Sequence, residues 1–286
     1  MNMTQAKTNP LSDWTGRTEE RHDRVCAAPL ARLAATLGRP ELVWAPGTEL
    51  PPLWHWLFFT PQPHSGDTGP DGHARRGGFL PPVALPRRMW AGGQLQFNHA
   101  LQVGAEIQRR SRIAQVRSKS GRSGELVFVR VEHEISDARG VALTEAHDIV
   151  YRDAPQPGGE APPPQAAPEQ AEFSREINPD PVLLFRYSAL TFNSHRIHYD
   201  RSYTTGVEGY PGLLVHGPLI ATLLIELLRD TLAQVRVTRF EFKALSPLFD
   251  IHRFHVHGRH EAAKRYALWA SDHRGGLAMQ AWAEVE

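Results

Sequence analysis

Tyr187-Ser188-Ala189-Leu190-Thr191-Phe192-Asn193-Ser194-His195-Arg196-Ile197-His198-Tyr199-Asp200 is followed closely by Pro211-Gly212-Leu213-Leu214-Val215-His216-Gly217-Pro218, and together these stretches decide the reading of this chain. The first gathers groups that can hold water and carry protons. The second ends in a Gly-Pro step that opens an apolar run of Leu219, Ile220, Leu223, Leu224, Ile225, Leu227 and Leu228. A helix apolar on every side is a buried helix. Proline at its first position suits the start, because the N–H it lacks would have no partner there. The backbone N–H of Gly217 then lies at the positive end of that helix. A base and an electron sink are what adding water to an activated alkene requires.

Strand-like stretches follow the helix: Phe240-Glu241-Phe242, Phe254-His255-Val256-His257, Tyr266-Ala267-Leu268-Trp269-Ala270 and Ala278 to Val285. One helix followed by an antiparallel meander predicts a sheet wrapped around that helix. The first half has a related grammar. Ala28 to Leu37 reads as a helix stopped by Gly38 and Pro40. Glu125 to Ile135 and Ala142 to Tyr151 read as strands, with Asp137-Ala138-Arg139-Gly140 as the hairpin turn between them. Residues 38 to 88, rich in Pro and Gly and carrying Trp44, Trp54 and Trp56, read as irregular structure packed on the sheet. Six prolines in the fourteen residues 155 to 168 mark a semi-extended connector. The expected organisation is residues 1–153 as an N-terminal repeat, 154–172 as a Pro-rich linker and 173–286 as a C-terminal repeat.

Composition sets the outer limits. With 286 residues, 41% apolar, 22% charged and a net charge of +1, the chain reads as a soluble globular protein. The charge gives no reason to expect nucleic acid or a membrane surface as partner. The single cysteine, Cys26, excludes an intrachain disulfide framework and a cysteine-built zinc site, and fits a reducing cytoplasm. His252-x-x-His255-x-His257-x-x-His260 places His255 and His257 on one strand face, yet no cysteine or carboxylate cluster accompanies them, so no metal is expected. Neither a G-x-G-x-x-G loop nor a P-loop is present, and no cofactor is expected.

His216-Gly217 before a buried helix, preceded by a loop ending in His198, resembles the MaoC-like enoyl-thioester hydratases and dehydratases. Their usual loop reads Asp-x-Asn-Pro-x-His; aligned on the final His, this chain has Asn193, Ser194, His195, Arg196, Ile197 and His198. Leu184 to Asp200 and Glu208 to Leu219 look like the branch of 3-hydroxyacyl-thioester dehydratases and mesaconyl-C4-CoA hydratases, with itaconyl-CoA hydratases as close relatives. Pro86-Arg87-Arg88-Met89-Trp90-Ala91-Gly92-Gly93 looks like that branch's amino-terminal repeat. The resemblance implies an α+β double hot-dog, two antiparallel sheets each wrapped around a central helix and joined by the Pro-rich linker, whose first repeat is degenerate and shapes the substrate pocket. It also implies a CoA-thioester substrate, with itaconyl-CoA or mesaconyl-C4-CoA converted to citramalyl-CoA. The alternatives are a 3-hydroxyacyl-thioester dehydratase of fatty acid metabolism, a hot-dog acyl-CoA thioesterase and a non-catalytic acyl-CoA-binding module. A double hot-dog can be complete as a monomer, although pairing into a homodimer is common in the family.

On this reading His198 is the base and acid, since an imidazole titrates near neutrality. Asn193 orients the water, and the Gly217 N–H binds the enolate-like oxygen. Arg196 and Arg186, with Arg87 and Arg88 behind them, are the guanidinium candidates for a second carboxylate, and His216 and Tyr199 complete the expected substrate contacts. Each has a plainer rival. Gly217 could simply start a helix, Asn193 could bond its own backbone, Arg196 could hold the loop through a salt bridge, and Asp200 could cap a helix rather than orient His198.

Overall fold

The computed structural model describes residues 11–39, 43–121, 124–153, 163–232 and 235–286. The second half is built around α4 (Gly217–Thr231), whose residues Leu219 to Leu228 are all buried. Each fully buried Leu or Ile on it contributes on the order of 1.5–3 kcal/mol of gross hydrophobic stabilisation. The helix packs on β6 (Phe173–Ile177), β8 (Phe254–Ala262), β9 (Arg265–Ser271) and β10 (Leu277–Val285), as a sheet wrapped around a helix demands. With β7 (Val237–Ala244) these strands run in the order β7-β10-β9-β8-β6.

The first half contributes β1 (Thr18–Arg24), β2 (Arg87–Phe97), β3 (Glu106–Gly121), β4 (Gly124–Asp137) and β5 (Gly140–Arg152), ordered β1-β3-β4-β5-β2. Alternation along β4 buries Val127, Val129, Val131, His133 and Ile135. The turn into β5 is the expected one: Gly140 takes φ +105°, and the Asp137 carboxylate accepts the Arg139 N–H at 2.8 Å. The helix here is α1 (Ala27–Thr36), shorter than α4 and buried only through Leu30, Leu33 and Ala34. Between α1 and β2 the chain is largely irregular, with short 3-10 turns at Trp54–Leu57 and Ser65–Asp67.

The double hot-dog was expected as two sheets; here the halves merge into one ten-stranded antiparallel sheet through the β2–β7 pair. The Gly92-Gly93 step makes this joint feasible. A Cβ on Gly92 would come within 2.7 Å of the Phe242 carbonyl oxygen, and one on Gly93 within 2.8 Å of the Phe242 ring. A second tie is polar. Glu226, buried inside α4, accepts Trp54 Nε1 at 3.0 Å from the first half and pairs with Arg39 at 2.7 Å and Arg229 at 2.9 Å. The sheet ends on β1 and β6, and the charged Thr-Glu-Glu-Arg-His-Asp-Arg sequence of β1 discourages further pairing. Of the expected linker, residues 154–162 lie outside the described residues.

Candidate active site

Two helices and a loop position the candidate stretch from Asn193 to His198. In α2 (Pro181–Leu190), the Asp180 carboxylate caps the start by accepting the Val182 and Leu183 N–H groups, and Pro181 occupies the first turn. The chain then turns at Phe192, with φ 50°, and a 3-10 turn carries Arg196–His198. Asp200 caps α3 (Arg201–Gly206) by accepting the Tyr203 N–H at 3.0 Å. Asp200 also binds Arg196 at 2.8 Å, so it serves the cap and the arginine.

Leu214 locks this loop to the entry of α4. Its N–H donates to the Ile197 carbonyl at 3.0 Å, and its carbonyl accepts from His198 Nδ1 at 2.8 Å. A carbonyl can only accept, so Nδ1 carries the proton and Nε2 of His198 keeps a free lone pair. The His198 ring lies on that of His216, with centroids 3.7 Å apart and planes 18° apart. His216 is the residue before Gly217, so His198 stands at the amino end of α4. Burial pushes His198 down to about 4 against the opposing pull of the Leu214 carbonyl, and His216 is driven well below the ordinary range by burial and by His198. Both rings are neutral near pH 7. His216 shares a hydrogen bond of 2.8 Å between Nε2 and Ser188 Oγ.

Gly217 is the first residue of α4, and no side chain caps this helix end. Its N–H is among the donors that an α-helix leaves without an internal partner. A Cβ at this position would meet only the Trp90 carbonyl oxygen, at 3.9 Å, so the backbone is approachable.

The remaining expected residues fall as follows. Asn193 turns its Oδ1 onto its own loop and accepts the His195 N–H at 3.1 Å, the geometry of its plainer rival. Arg196 is engaged by Asp200, by the Pro70 carbonyl at 3.0 Å and by the Tyr203 ring at 4.1 Å. Arg186 lies on the exposed face of α2. The Tyr199 hydroxyl donates to the Ser194 carbonyl at 2.9 Å. Arg87 reaches Glu208 and Tyr210. Arg88, opposite Tyr151 in the β2–β5 register, is half-buried, takes part in no ion pair among the described residues, and depresses both His73 and His195 by its charge.

Sequence reading missed the contribution of residues 69–75. Arg196 N–H donates to the Asp71 carbonyl at 2.9 Å and Ser194 Oγ to the Gly72 carbonyl, fastening this segment to the loop that carries Asn193 to His198. His73 lies 3.9 Å from His195, ring to ring, and its Nδ1 meets Asp71 Oδ2 at 3.0 Å. Burial lowers His195 to about 2, with His73 and His198 adding to the effect. An Asp-x-His in a Gly/Pro-rich run carries no periodic signal, and only the fold reveals its neighbour.

The His252–His260 run is spread out: His257 bonds Ser271 Oγ at 2.9 Å and His260 the Ala263 carbonyl at 3.1 Å. Among the described residues, two other groups have metal-ligand spacing: Asp71 with His73 and His195, and His133 with Glu145 and His147. In the second, Glu145 Oε2 already accepts Trp56 Nε1 at 2.9 Å and lies 3.3 Å from His55 Nε2. No helix among the described residues is long and apolar enough to cross a membrane.

Comparison with known proteins identifies the family. The family described as hydroxyacyl-thioester dehydratase type 2 matches residues 53–250. A mesaconyl-C(4)-CoA hydratase of Chloroflexus aurantiacus is 43% identical over 272 residues, covering 95% of this chain and 96% of the relative. The mitochondrial hydroxyacyl-thioester dehydratase type 2 of Schizosaccharomyces pombe is 28% identical over 257 residues, covering 79% and 85%. A Mycobacterium tuberculosis protein with a double hot-dog fold superposes with a TM-score of 0.59 at 14% identity, over 95% of this chain and 96% of that one, a likeness of fold alone.

Proposed function

Because the chain belongs to the hydroxyacyl-thioester dehydratase type 2 family, and so is a hydro-lyase of thioesters, we propose that it adds water reversibly to mesaconyl-C4-CoA, giving citramalyl-CoA. The 43% identity to a hydratase of that name supports the choice of substrate. So does the chemistry. In mesaconyl-C4-CoA the double bond is conjugated with the thioester, so electrons released by the incoming oxygen have somewhere to go. Itaconyl-CoA, the second choice, lacks that conjugation and would need a proton shift first.

The observation that carries the reading is the tether of His198 Nδ1 to Leu214, which leaves Nε2 bare at the amino end of α4. There His198 Nε2 accepts a hydrogen bond from the attacking water and positions it. The Gly217 N–H, backed by the helix dipole, receives the negative charge that grows on the thioester oxygen. Asn193 is assigned to shaping the loop, consistent with its bond to the His195 N–H.

The free carboxylate of mesaconyl-C4-CoA sits on the same β-carbon that takes the hydroxyl, so its anchor belongs near the water. We assign that anchor to Arg88, which meets the Tyr151 hydroxyl but no carboxylate among the described residues, since Arg196 and Arg87 are already paired with Asp200 and Glu208. A guanidinium there also offsets the repulsion between the carboxylate and the incoming oxygen. The test is to mix the protein with mesaconyl-C4-CoA, itaconyl-CoA or crotonyl-CoA and follow enone absorbance and free thiol. Loss of absorbance without thiol release, fastest with mesaconyl-C4-CoA, is the expected result. Thiol release, or no change with any of the three, overturns the reading.

A further inference from the structure

Hydrating an enoyl thioester asks two things of nearby groups: a proton must leave the water, and a proton must reach the α-carbon. The position that resembles the family's aspartate is Asn193, an amide turned onto its own backbone. His198 is a weak base for the whole task, since burial disfavours its charged form and its Nδ1 partner is a neutral carbonyl. The first half of the chain holds a carboxylate beside the same loop.

Asp71 and His73 lie on the segment 69–75 that grips the catalytic loop. Asp71 shares its carboxylate with His73 in two ways: Oδ1 accepts the His73 backbone N–H at 3.0 Å, and Oδ2 faces Nδ1 at 3.0 Å. Burial pushes Asp71 up, but hydrogen bonds from the side chain and backbone of His73, and its attraction to that ring when protonated, outweigh this and hold Asp71 below the usual carboxylate range. An ionised carboxylate can only accept, so Nδ1 of His73 is the protonated nitrogen and Nε2 is left as a lone pair. The ring is 3.9 Å from His195, which stands edge-on to His198 at 5.5 Å. Of the four imidazoles in this row, His73 is the one hydrogen-bonded to a carboxylate among the described residues. Burial is the largest influence on His73 and lowers it from the usual histidine range; Asp71 pulls it up, and the charges of Arg88 and Arg76 push it further down.

We propose that His73, oriented by Asp71, is a second catalytic imidazole that does the work of the missing motif aspartate; the assignment rests on the hydratase reading above. His73 Nε2 takes one hydrogen of the water while the water oxygen bonds to the β-carbon. The π pair of the double bond shifts toward the α-carbon and the thioester oxygen. The His73 imidazolium, steadied by Asp71, then returns the same proton to the α-carbon and is neutral again. His198 holds the other hydrogen of the water and fixes its position. Asp71 acts through His73 and is a positioning residue.

The experiment compares wild type, His73→Gln, His73→Ala and Asp71→Asn in the full chain with mesaconyl-C4-CoA. It reads kcat, KM, the pH profile and the thermal midpoint. A general base is typically worth about 10²–10⁴ in rate. His73→Gln should lose kcat on that scale, with KM and thermal midpoint nearly unchanged, and free imidazole should partly restore His73→Ala. Asp71→Asn should retain more activity, with its acidic limb moved to lower pH because the group that raises the pKa of His73 is gone. Wild-type-like kcat in His73→Gln overturns the proposal. So does a loss that tracks a fallen thermal midpoint and is not rescued by imidazole. A wild type that hydrates none of the three thioesters instead overturns the hydratase reading, and the role of His73 with it.

Discussion

The imidazole of His198 lies flat against that of His216, 3.7 Å between centroids, and neither ring forms an ion pair with a carboxylate among the described residues. Two positive charges could not share that spacing, so both rings are held neutral. His198→Ala should lose about a hundredfold in kcat, because the water loses the acceptor that fixes its position. The acidic limb of kcat/KM in the wild type should fall below the ordinary histidine value of 6.5, because burial lowers both His73 and His198. A limb at or above 6.5 would contradict the neutral pair.

The same buried rings set the pH dependence of stability. His198, His133 and His195 are lowered to about 4, 3 and 2 by burial, whereas in the unfolded chain each takes its ordinary value of 6.5. Below 6.5 the unfolded state binds more protons than the folded one, so stability falls as pH falls. Urea midpoints should drop steadily from about pH 6.5 toward pH 4 and stay flat between pH 7 and 8 as far as these groups are concerned. Constant midpoints from pH 7 to 5 would refute their burial.

Gly217→Ala separates chemistry from fold. The added methyl meets only the Trp90 carbonyl oxygen, at 3.9 Å, and alanine suits a helix better than glycine. Thermal stability should hold or rise slightly while hydration falls, since the methyl enters the space where the thioester oxygen must approach the N–H. Unchanged kcat/KM would remove the helix end from the mechanism.

Arg88→Gln tests recognition of the free carboxylate. A lost charged hydrogen-bonding partner is worth about 1.5–3 kcal/mol, or roughly a tenfold to hundredfold rise in KM for mesaconyl-C4-CoA. Crotonyl-CoA, which has no second carboxylate, should be turned over as before. Equal losses with both thioesters would make Arg88 structural.

Glu226→Ala should be among the most destabilising single changes in the chain. It removes a buried acceptor from Trp54 Nε1 and a partner from Arg229, and breaking a buried pair typically costs about 3–5 kcal/mol. Chemical denaturation would register it as a lower midpoint.

Periodic features of the fold were legible in the sequence, and long-range ones were not. The apolar run from Leu219 announced α4, and Asp137-Ala138-Arg139-Gly140 announced the β4–β5 hairpin. β1 and β3 went unread because their strand alternation is carried by charged side chains: Glu19, Arg21 and Asp23 on one face of β1, and an Arg-rich run on β3. Asp180-Pro181 was a readable start signal for α2 that the reading passed over. In the candidate site, His198 and Gly217 could be inferred because one local motif holds both. Asp71 and His73 could not, since more than a hundred residues of chain separate them from the loop they serve.

At Gly72, φ is +87° and an added Cβ would fall 1.9 Å from the Ser194 carbonyl oxygen, so the two lobes touch there backbone to backbone. The candidate site is thus a seam between separately contributed segments. Neither lobe expressed alone would hold a working pocket. During refolding, turnover would recover with the final docking of the lobes, later than the far-ultraviolet signal that reports their strands and helices.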